Sequence, residues 1–453
     1  MKTRDPKKVF ENIEKAPDVK PNYDGYITET RKYKLITPLF GGGVKAQEAD
    51  LITVIRGTSV RGQLRFWWRA TRGGQFDSAL EKMKIREDEI WGSTQSESQV
   101  VISVDITKPG NEEVAFWVIS STKQDKNGRT VTKPETVASP KIASYAAFPL
   151  MPDKNECKQV GWVSKKVLLD VEFSVVLTYP SKYQEDVNAA LWAWETFGGI
   201  GARTRRGFGA LSRTDNNGTI PLAKDVNKWI GDQAAKYVVF NGVWAKGVPH
   251  LGCRDIFFIT TSRTQDGITA WKNLIGLFQR FRQQDARVDK RTGRPKDQGL
   301  SQWPEANAIR KELGYEAKVA INVSKSSLIP KYPRAAFGLP IIFHMAHDKE
   351  IKGDLTLQGI DKYDRLASSL ILRPLACADG NVGLAVILQW DRVNSDEPYT
   401  PPGGLRLIGK DDGVDKLVQS QISANEIANI PLLKNKKNIL QAFFTYLTEK
   451  ESR

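Results

Sequence analysis

Between Leu51 and Phe76 the chain reads LITVIRGTSVRGQLRFWWRATRGGQF, which holds Arg56, Arg61, Arg65, Arg69 and Arg72 but no Asp or Glu. If Thr58 or Ser59 caps a helix, Val60, Leu64, Trp67 and Thr71 share one face, and Arg61, Arg65, Arg69 and Arg72 form an adjacent stripe about 80° wide. A solvated helix face usually interleaves both signs to gain i to i+4 pairs, and this one does not. The chemistry such a stripe suits is phosphate neutralisation. Trp67 shares the face of Val60 and Leu64 and reads as core. Trp68 lies at the margin, where core packing and base stacking are both open.

A second acid-free segment, Thr196 to Arg213, carries Arg203, Arg205, Arg206 and Arg213 among Gly198, Gly199, Gly201, Gly207 and Gly209. Glycines let a backbone approach a ligand closely. Exposed amides can then cradle phosphate oxygens while arginines add bidentate contacts. A merely structural glycine turn is the alternative. The Walker pattern GxxxxGK[ST] is absent, and the glycines do not spell GxGxxG after a strand, so ATP and dinucleotide binding find no support. A third acid-free tract, Ala317 to His347, offers Lys318, Lys325, Lys331 and Arg334, with Ser324, Ser326 and Ser327 as neutral phosphate ligands.

Acid–base chemistry has few carriers. The three histidines, His250, His344 and His347, all lie outside the two strongest basic segments. His250, between Val248 and Gly252, is the best candidate for a general base or acid in an RNA-cleaving enzyme. His347-Asp348 spells the dipeptide of an HD nuclease but lacks the rest of the ligand set. Asp285 and Asp289 read as partners of Arg287, Lys290 or Arg291, and neither GxSxG nor HExxH occurs.

The elements that must position these residues follow from periodicity. Residues 1 to 26 read as a loosely held arm, followed by a strand at 29 to 36 and the glycine run Gly41 to Gly43, with Lys45 just beyond it. Helical spacing covers 58 to 71 and 76 to 90, the latter ending at Trp91-Gly92-Ser93. Strands are expected at 100 to 106, 114 to 120 and 167 to 178, a polar loop at 125 to 140, a helix between Pro180 and Gly198, and a strand at 207 to 213. The polar stretch 215 to 236 is the candidate boundary. Beyond it come a strand at 254 to 261, a helix at 268 to 282, a charged loop at 283 to 304, strands at 338 to 344 and 383 to 390, and a closing helix at 433 to 447. The fold class expected is α+β, with two tandem ferredoxin-like, RRM-like βαββαβ domains with insertions, at 1–225 and 226–453.

Composition agrees with a folded polyanion binder. The 453 residues exceed what one core usually serves, and 67 Lys and Arg against 52 Asp and Glu leave a formal charge of +15 and a pI near 9.5. Cys157, Cys253 and Cys377 are far apart with no CxxC pair, which argues against a disulfide framework or a cysteine zinc site and for a reducing compartment. The first residues lack an apolar signal core, and no apolar run of about 18 residues occurs, so the expectation is a soluble cytoplasmic protein.

Gly199-Ile200-Gly201 with Arg206-Gly207-Phe208-Gly209 is similar to the signature loop that closes a RAMP-superfamily domain. Thr37 to Gly43 (TPLFGGG), Ile55-Arg56-Gly57, Arg61 to Arg69 (RGQLRFWWR), Gly293 to Glu305 (GRPKDQGLSQWPE) and Pro333 to Pro340 (PRAAFGLP) resemble, in order, blocks of the first-subunit family of Cmr-type (type III-B) CRISPR effector complexes. The block Arg365 to Leu370 departs from that pattern, with Ser369 where the family has proline. The resemblance implies tandem ferredoxin-like domains, a place where the 3′ part of the guide RNA is received, and a part in engaging target RNA in antiviral defence. Its implied partners are guide CRISPR RNA, target single-stranded RNA and other Cmr-complex subunits; from the residues themselves no membrane, cofactor or metal is expected.

The reading is a non-catalytic RNA-binding subunit whose expected contacts are Lys45, Arg56, Arg61, Arg65, Trp68, Arg69, Arg203, Arg205, Arg206, Phe208, Lys325, Lys331 and Arg334. A guide-processing endoribonuclease built on His250 and a basic protein–protein scaffold are the alternatives.

Overall fold

A computed structural model describes residues 25–43, 47–124, 128–215, 220–252, 255–283, 303–316, 329–345, 350–351, 353–390, 404–409, 411 and 413–451. The expected contacts Lys45 and Lys325 lie outside these residues, as do His347 and most of the 283 to 304 loop.

The chain is mixed α+β. Its first half runs β1 (Tyr26–Leu35), α1 (Gly57–Arg72), α2 (Leu80–Trp91), β2 (Val101–Lys108), β3 (Asn111–Val114), β4 (Phe116–Gln124), β5 (Thr130–Ala138), β6 (Lys166–Leu169), β7 (Glu172–Pro180), α3 (Gln184–Phe197) and β8 (Leu211–Arg213). One antiparallel sheet forms in the order β2-β7-β1-β8, with Tyr26 opposite Pro180, Val101 opposite Thr178 and Leu35 opposite Leu211. The insertion between β2 and β7 makes two short ladders of its own, β3 with β6 and β4 with β5.

After α4 (Val226–Tyr237), the second half runs β9 (Phe258–Thr260), α5 (Gly267–Gln283), α6 (Glu305–Glu312), β10 (Ile341–His344), β11 (Asp354–Gly359), β12 (Leu370–Cys377), β13 (Gly380–Ile387), β14 (Leu405–Gly409), β15 (Val414–Val418), α7 (Ala424–Ile427) and α8 (Ile439–Glu451). Strands β12-β13-β9 form one antiparallel sheet, packed against α5, and β10-β11-β14-β15 form another.

Helix α1 forms as its periodicity predicts. Val60, Leu64, Trp67, Trp68 and Thr71 are buried against α3 and the first sheet, and Arg69 and Arg72 sit in the last turn, where the helix dipole favours cations. Its N-cap is not Thr58 or Ser59. Arg56 holds that position with extended backbone and gives no side-chain cap, while its carbonyl accepts from the Ser59 and Val60 amides at 3.0 and 3.2 Å.

Three other expectations change. The 125 to 140 loop is in large part β5, whose alternation is obscured by Lys133-Pro134-Glu135 although Thr130, Thr132, Thr136 and Val137 favour a strand. The single strand at 167 to 178 is two, broken at Asp170, whose φ of 55° turns the chain. The polar stretch 215 to 236 contains α4, polar on most of its surface but burying Val226, Ile230 and Ala234 at i, i+4 and i+8.

Among the described residues three apolar clusters form, and two draw on both halves. The first joins Leu64, Trp67, Trp194 and the α4 residues to Ile371, Leu375 and Val386. The second sets Phe40, Phe116 and Phe208 among Trp271, Phe278 and Phe443, while the third lies beneath β10-β11-β14-β15. Among the described residues no helix is long and apolar enough to cross a membrane.

Candidate nucleic-acid interface

Helix α1 presents its arginines beside α2, and this juxtaposition supplies the counter-charge that the local sequence lacks. Arg65 Nε lies 2.7 Å and Arg69 Nη1 2.6 Å from the same Glu87 oxygen, Arg65 also donates to the Gly92 carbonyl at 3.0 Å, and its Nη2 is 3.4 Å from Asp88. Arg72 lies 3.5 Å from Glu185 and 3.7 Å from Asp186. Expecting Arg65 and Arg69 to be uncommitted is therefore corrected: acids more than 15 residues away in sequence hold them.

Two arginines on one nearly buried carboxylate leave net positive charge, but the pair is fixed in place. Glu87→Gln removes that shared charge while both guanidinium groups stay. Because the arginines are about 30% exposed and screened, the expected loss is about 2 kcal/mol of stability rather than the larger cost of a fully buried pair, read from a urea unfolding curve.

Arg56 and Arg61 are less engaged. Arg56 donates to the Gly42 carbonyl at 2.9 Å and stands 3.8 Å from Asp50, with a third of its side chain in solvent. Arg61 has no ion pair among the described residues and lines a groove of about 570 Å³ with Arg65 and the Ser93 to Ser98 loop. Both flank the start of α1. Trp68 is a correction, since it is wholly buried and its indole donates to Asp186 at 2.8 Å, so it offers no stacking face.

The glycine loop between α3 and β8 is built against the second half. Gly207 has φ 82°, and a Cβ there would come 2.7 Å from the Trp271 ring and 2.8 Å from the Leu372 carbonyl. At Gly209 a Cβ would meet the Ile200 carbonyl at 1.9 Å. Close approach of protein backbone thus already requires these glycines. Phe208, expected to contact RNA, is fully buried between Phe40 and Trp271, with the Trp271 ring edge-on at 4.8 Å, and is likewise corrected to a core residue.

The loop arginines divide into a clamp and two half-committed cations. Arg206 donates to the carbonyls of Arg205 at 3.1 Å, Leu370 at 2.9 Å and Phe337 at 2.9 Å, and lies over the Phe278 ring at 5.0 Å. Arg203 donates through Nε to Ala146 at 2.7 Å, and Arg205 through one nitrogen to the Ser368 carbonyl. None of the three has an ion pair among the described residues. Burial pushes Arg205 down to about 10; burial, joined by the like charges of Arg282 and Arg203, pushes Arg206 down to about 9. All remain cationic at neutral pH, and Arg203 and Arg205 retain unused N–H donors facing a shortage of anions.

The remaining expected sites sit apart from this pair of segments. Lys331 donates to the Gln419 side chain at 2.5 Å, and Arg334 is 3.1 Å from Glu305 with its ring-facing side over Phe343. His250 is fully buried and stacked on Trp244 at 4.3 Å with rings 10° apart, which removes it from contact with any RNA strand.

Sequence reasoning missed Arg373. Wholly buried in β12, it donates to the carbonyls of Glu195 at 2.9 Å, Gly198 at 2.6 Å, Leu211 at 2.8 Å and its neighbour Pro374 at 2.9 Å, fastening both ends of the glycine loop to the second half. A lone cation inside LILRPLAC was the available signal.

Comparison with known proteins bears on the same region. The RAMP superfamily model matches residues 32–212, which include α1 and the whole glycine loop. Two Pyrococcus furiosus proteins are similar in sequence: CRISPR system Cmr subunit Cmr1-2, 29% identical over 185 residues covering 39% of this chain and 89% of that protein, and Cmr1-1, 28% identical over 159 residues covering 35% and 40%. Among solved structures, apo Cmr1 from Pyrococcus furiosus aligns over 94% of this chain and 97% of its own, with 14% identity and a TM-score of 0.44. A chain of the type III-B Cmr-β complex bound to cognate target RNA aligns over 93% and 100%, with 12% identity and a TM-score of 0.42. The likeness to the RAMP superfamily thus spans β1 to β8 of the first half.

Proposed function

We propose that this chain is a non-catalytic RNA-binding subunit of a type III-B CRISPR effector complex, working in the cytoplasm beside other Cmr subunits. The observation that carries the reading is the glycine loop. It holds Arg203 and Arg205 half-buried, cationic, without a carboxylate and with donors to spare, where a phosphate oxygen would complete their hydrogen bonding. Arg56 and Arg61 at the start of α1 extend the same positive surface.

Its sequence relative in Pyrococcus furiosus, a CRISPR system Cmr subunit, supports a place in such a complex. Phosphate contacts position the strands, and base pairing between guide and target supplies sequence specificity. The strand order of the first sheet, read along the chain as 4-1-3-2 with helices after the first and third strands, supports a ferredoxin-like unit in residues 1–225. β9, α5, β12, β13 and α8 give a second such unit within 226–453 that lacks a fourth strand among the described residues, with α4 packing back on the first.

Titrating end-labelled single-stranded RNA with the protein at several salt concentrations tests the reading. Each phosphate neutralised contributes about −0.7 to the slope of log affinity against log salt, so a slope of roughly −2 or steeper is expected. A slope near zero contradicts phosphate binding.

A further inference from the structure

Where α1 meets the glycine loop, Gln63, Phe66 and Trp67 face Gly198, Thr204 and Arg205 across a cavity of about 190 Å³. Its walls are chemically uneven. Phe66 and Trp67 meet edge to face at 5.1 Å, and the Arg205 guanidinium lies over the Phe66 ring at 5.5 Å. Trp67 is 2% exposed, yet its indole N–H has no hydrogen-bond partner among the described residues. A Cβ on Gly198 would stand 2.6 Å from that nitrogen, so the N–H lies against the glycine that lines the cavity. That nitrogen is itself covered, so the polar groups the cavity offers are those of Gln63, Thr204 and Arg205.

Size narrows the occupant. The cavity holds the volume of about six liquid waters, and it falls below the roughly 300 Å³ at which pockets for whole small-molecule ligands begin. A nucleotide with its phosphates does not fit inside, but a single planar ring system does. Such a ring would lie against Phe66 and meet the Gln63 amide, which both donates and accepts. Its attached phosphate would emerge beside Arg205.

We propose that this cavity takes one base of the bound RNA, turned out of the strand, while the arginines of α1 and the loop hold the flanking phosphates. This rests on the RNA-binding reading above. Unstacking a base costs least in single-stranded RNA, the form in which a strand would cross this surface.

The test compares two probes with equal numbers of phosphates: an RNA strand made wholly of abasic nucleotides, and the same strand with one uridine or adenosine restored at its centre. Restoring the base is expected to strengthen binding by wild type on the order of tenfold, with the salt slope unchanged. Gln63→Phe, which fills the cavity, and Phe66→Leu, which removes its stacking face, are both expected to bind the two probes equally. Circular dichroism identifies whichever variant is folded.

If the restored base gives wild type no gain, or a folded variant keeps the gain, the pocket proposal is overturned while phosphate binding stands. If wild type binds neither probe, the RNA-binding reading falls and this proposal with it.

Discussion

Arg373→Ala is expected to lower the unfolding free energy by roughly 3 kcal/mol or more, the largest stability effect of any single substitution considered. The guanidinium carries a desolvated charge, which burial pushes down to about 9 against the smaller opposing pull of the Glu195 charge, and it makes no ion pair among the described residues. What keeps it there is its set of carbonyl acceptors, three of them on the far side of the boundary between the halves. Alanine leaves those three oxygens without their donor in a side-chain-sized void, at about 1–3 kcal/mol for each that water fails to reach. Arg373→Lys keeps the charge but cannot span four acceptors, and is expected to recover less than half of the loss. Urea midpoints of the three proteins, compared at equal slope, check this. A midpoint unchanged in Arg373→Ala would show that the fork is not holding the loop.

The second large effect is on binding. Arg203→Ala combined with Arg205→Ala is expected to weaken single-stranded RNA binding by more than tenfold at moderate salt and to flatten the log-log salt slope by about 1.4, two contacts at about 0.7 each. Arg206 is left out because its three carbonyl contacts make it a clamp; removing it would confound lost phosphate contacts with lost loop position. The distinction is visible in the data, since Arg206→Ala should shift the urea midpoint, whereas the double substitution should shift affinity and slope more than stability. An unchanged slope in the folded double variant would mean that the loop does not touch phosphate.

The legible parts of this chain were those encoded locally. The 3.6-residue spacing of Val60, Leu64, Trp67 and Thr71 placed α1 within one residue of its ends, and the helices at 184–197 and 267–283 followed in the same way. The acid-free character of both basic segments was equally plain. What could not be read was which acids fold back on them, because the Glu87–Arg65–Arg69 arrangement depends on how α2 turns against α1. The same limit applies to Trp68 and Phe208, whose burial is set by α3 and by Trp271 rather than by their neighbours in sequence. β5 and α4 were hidden by composition, one by a Lys-Pro-Glu interruption and the other by an apolar face only three residues long. Arg373 was missed for the opposite reason: attention to clustered cations passes over a single one in an apolar strand.

The central claim, RNA binding without cleavage, is tested most directly by one reaction divided between two gels. End-labelled single-stranded RNA is incubated with the purified wild-type protein, then run native to read binding and denaturing to read strand integrity. The account predicts a shifted complex that contains intact RNA, as expected of a chain whose most plausible acid–base histidine, His250, is sealed beneath Trp244. Reproducible cutting of the RNA by the wild-type protein, absent from a mock purification, would contradict it.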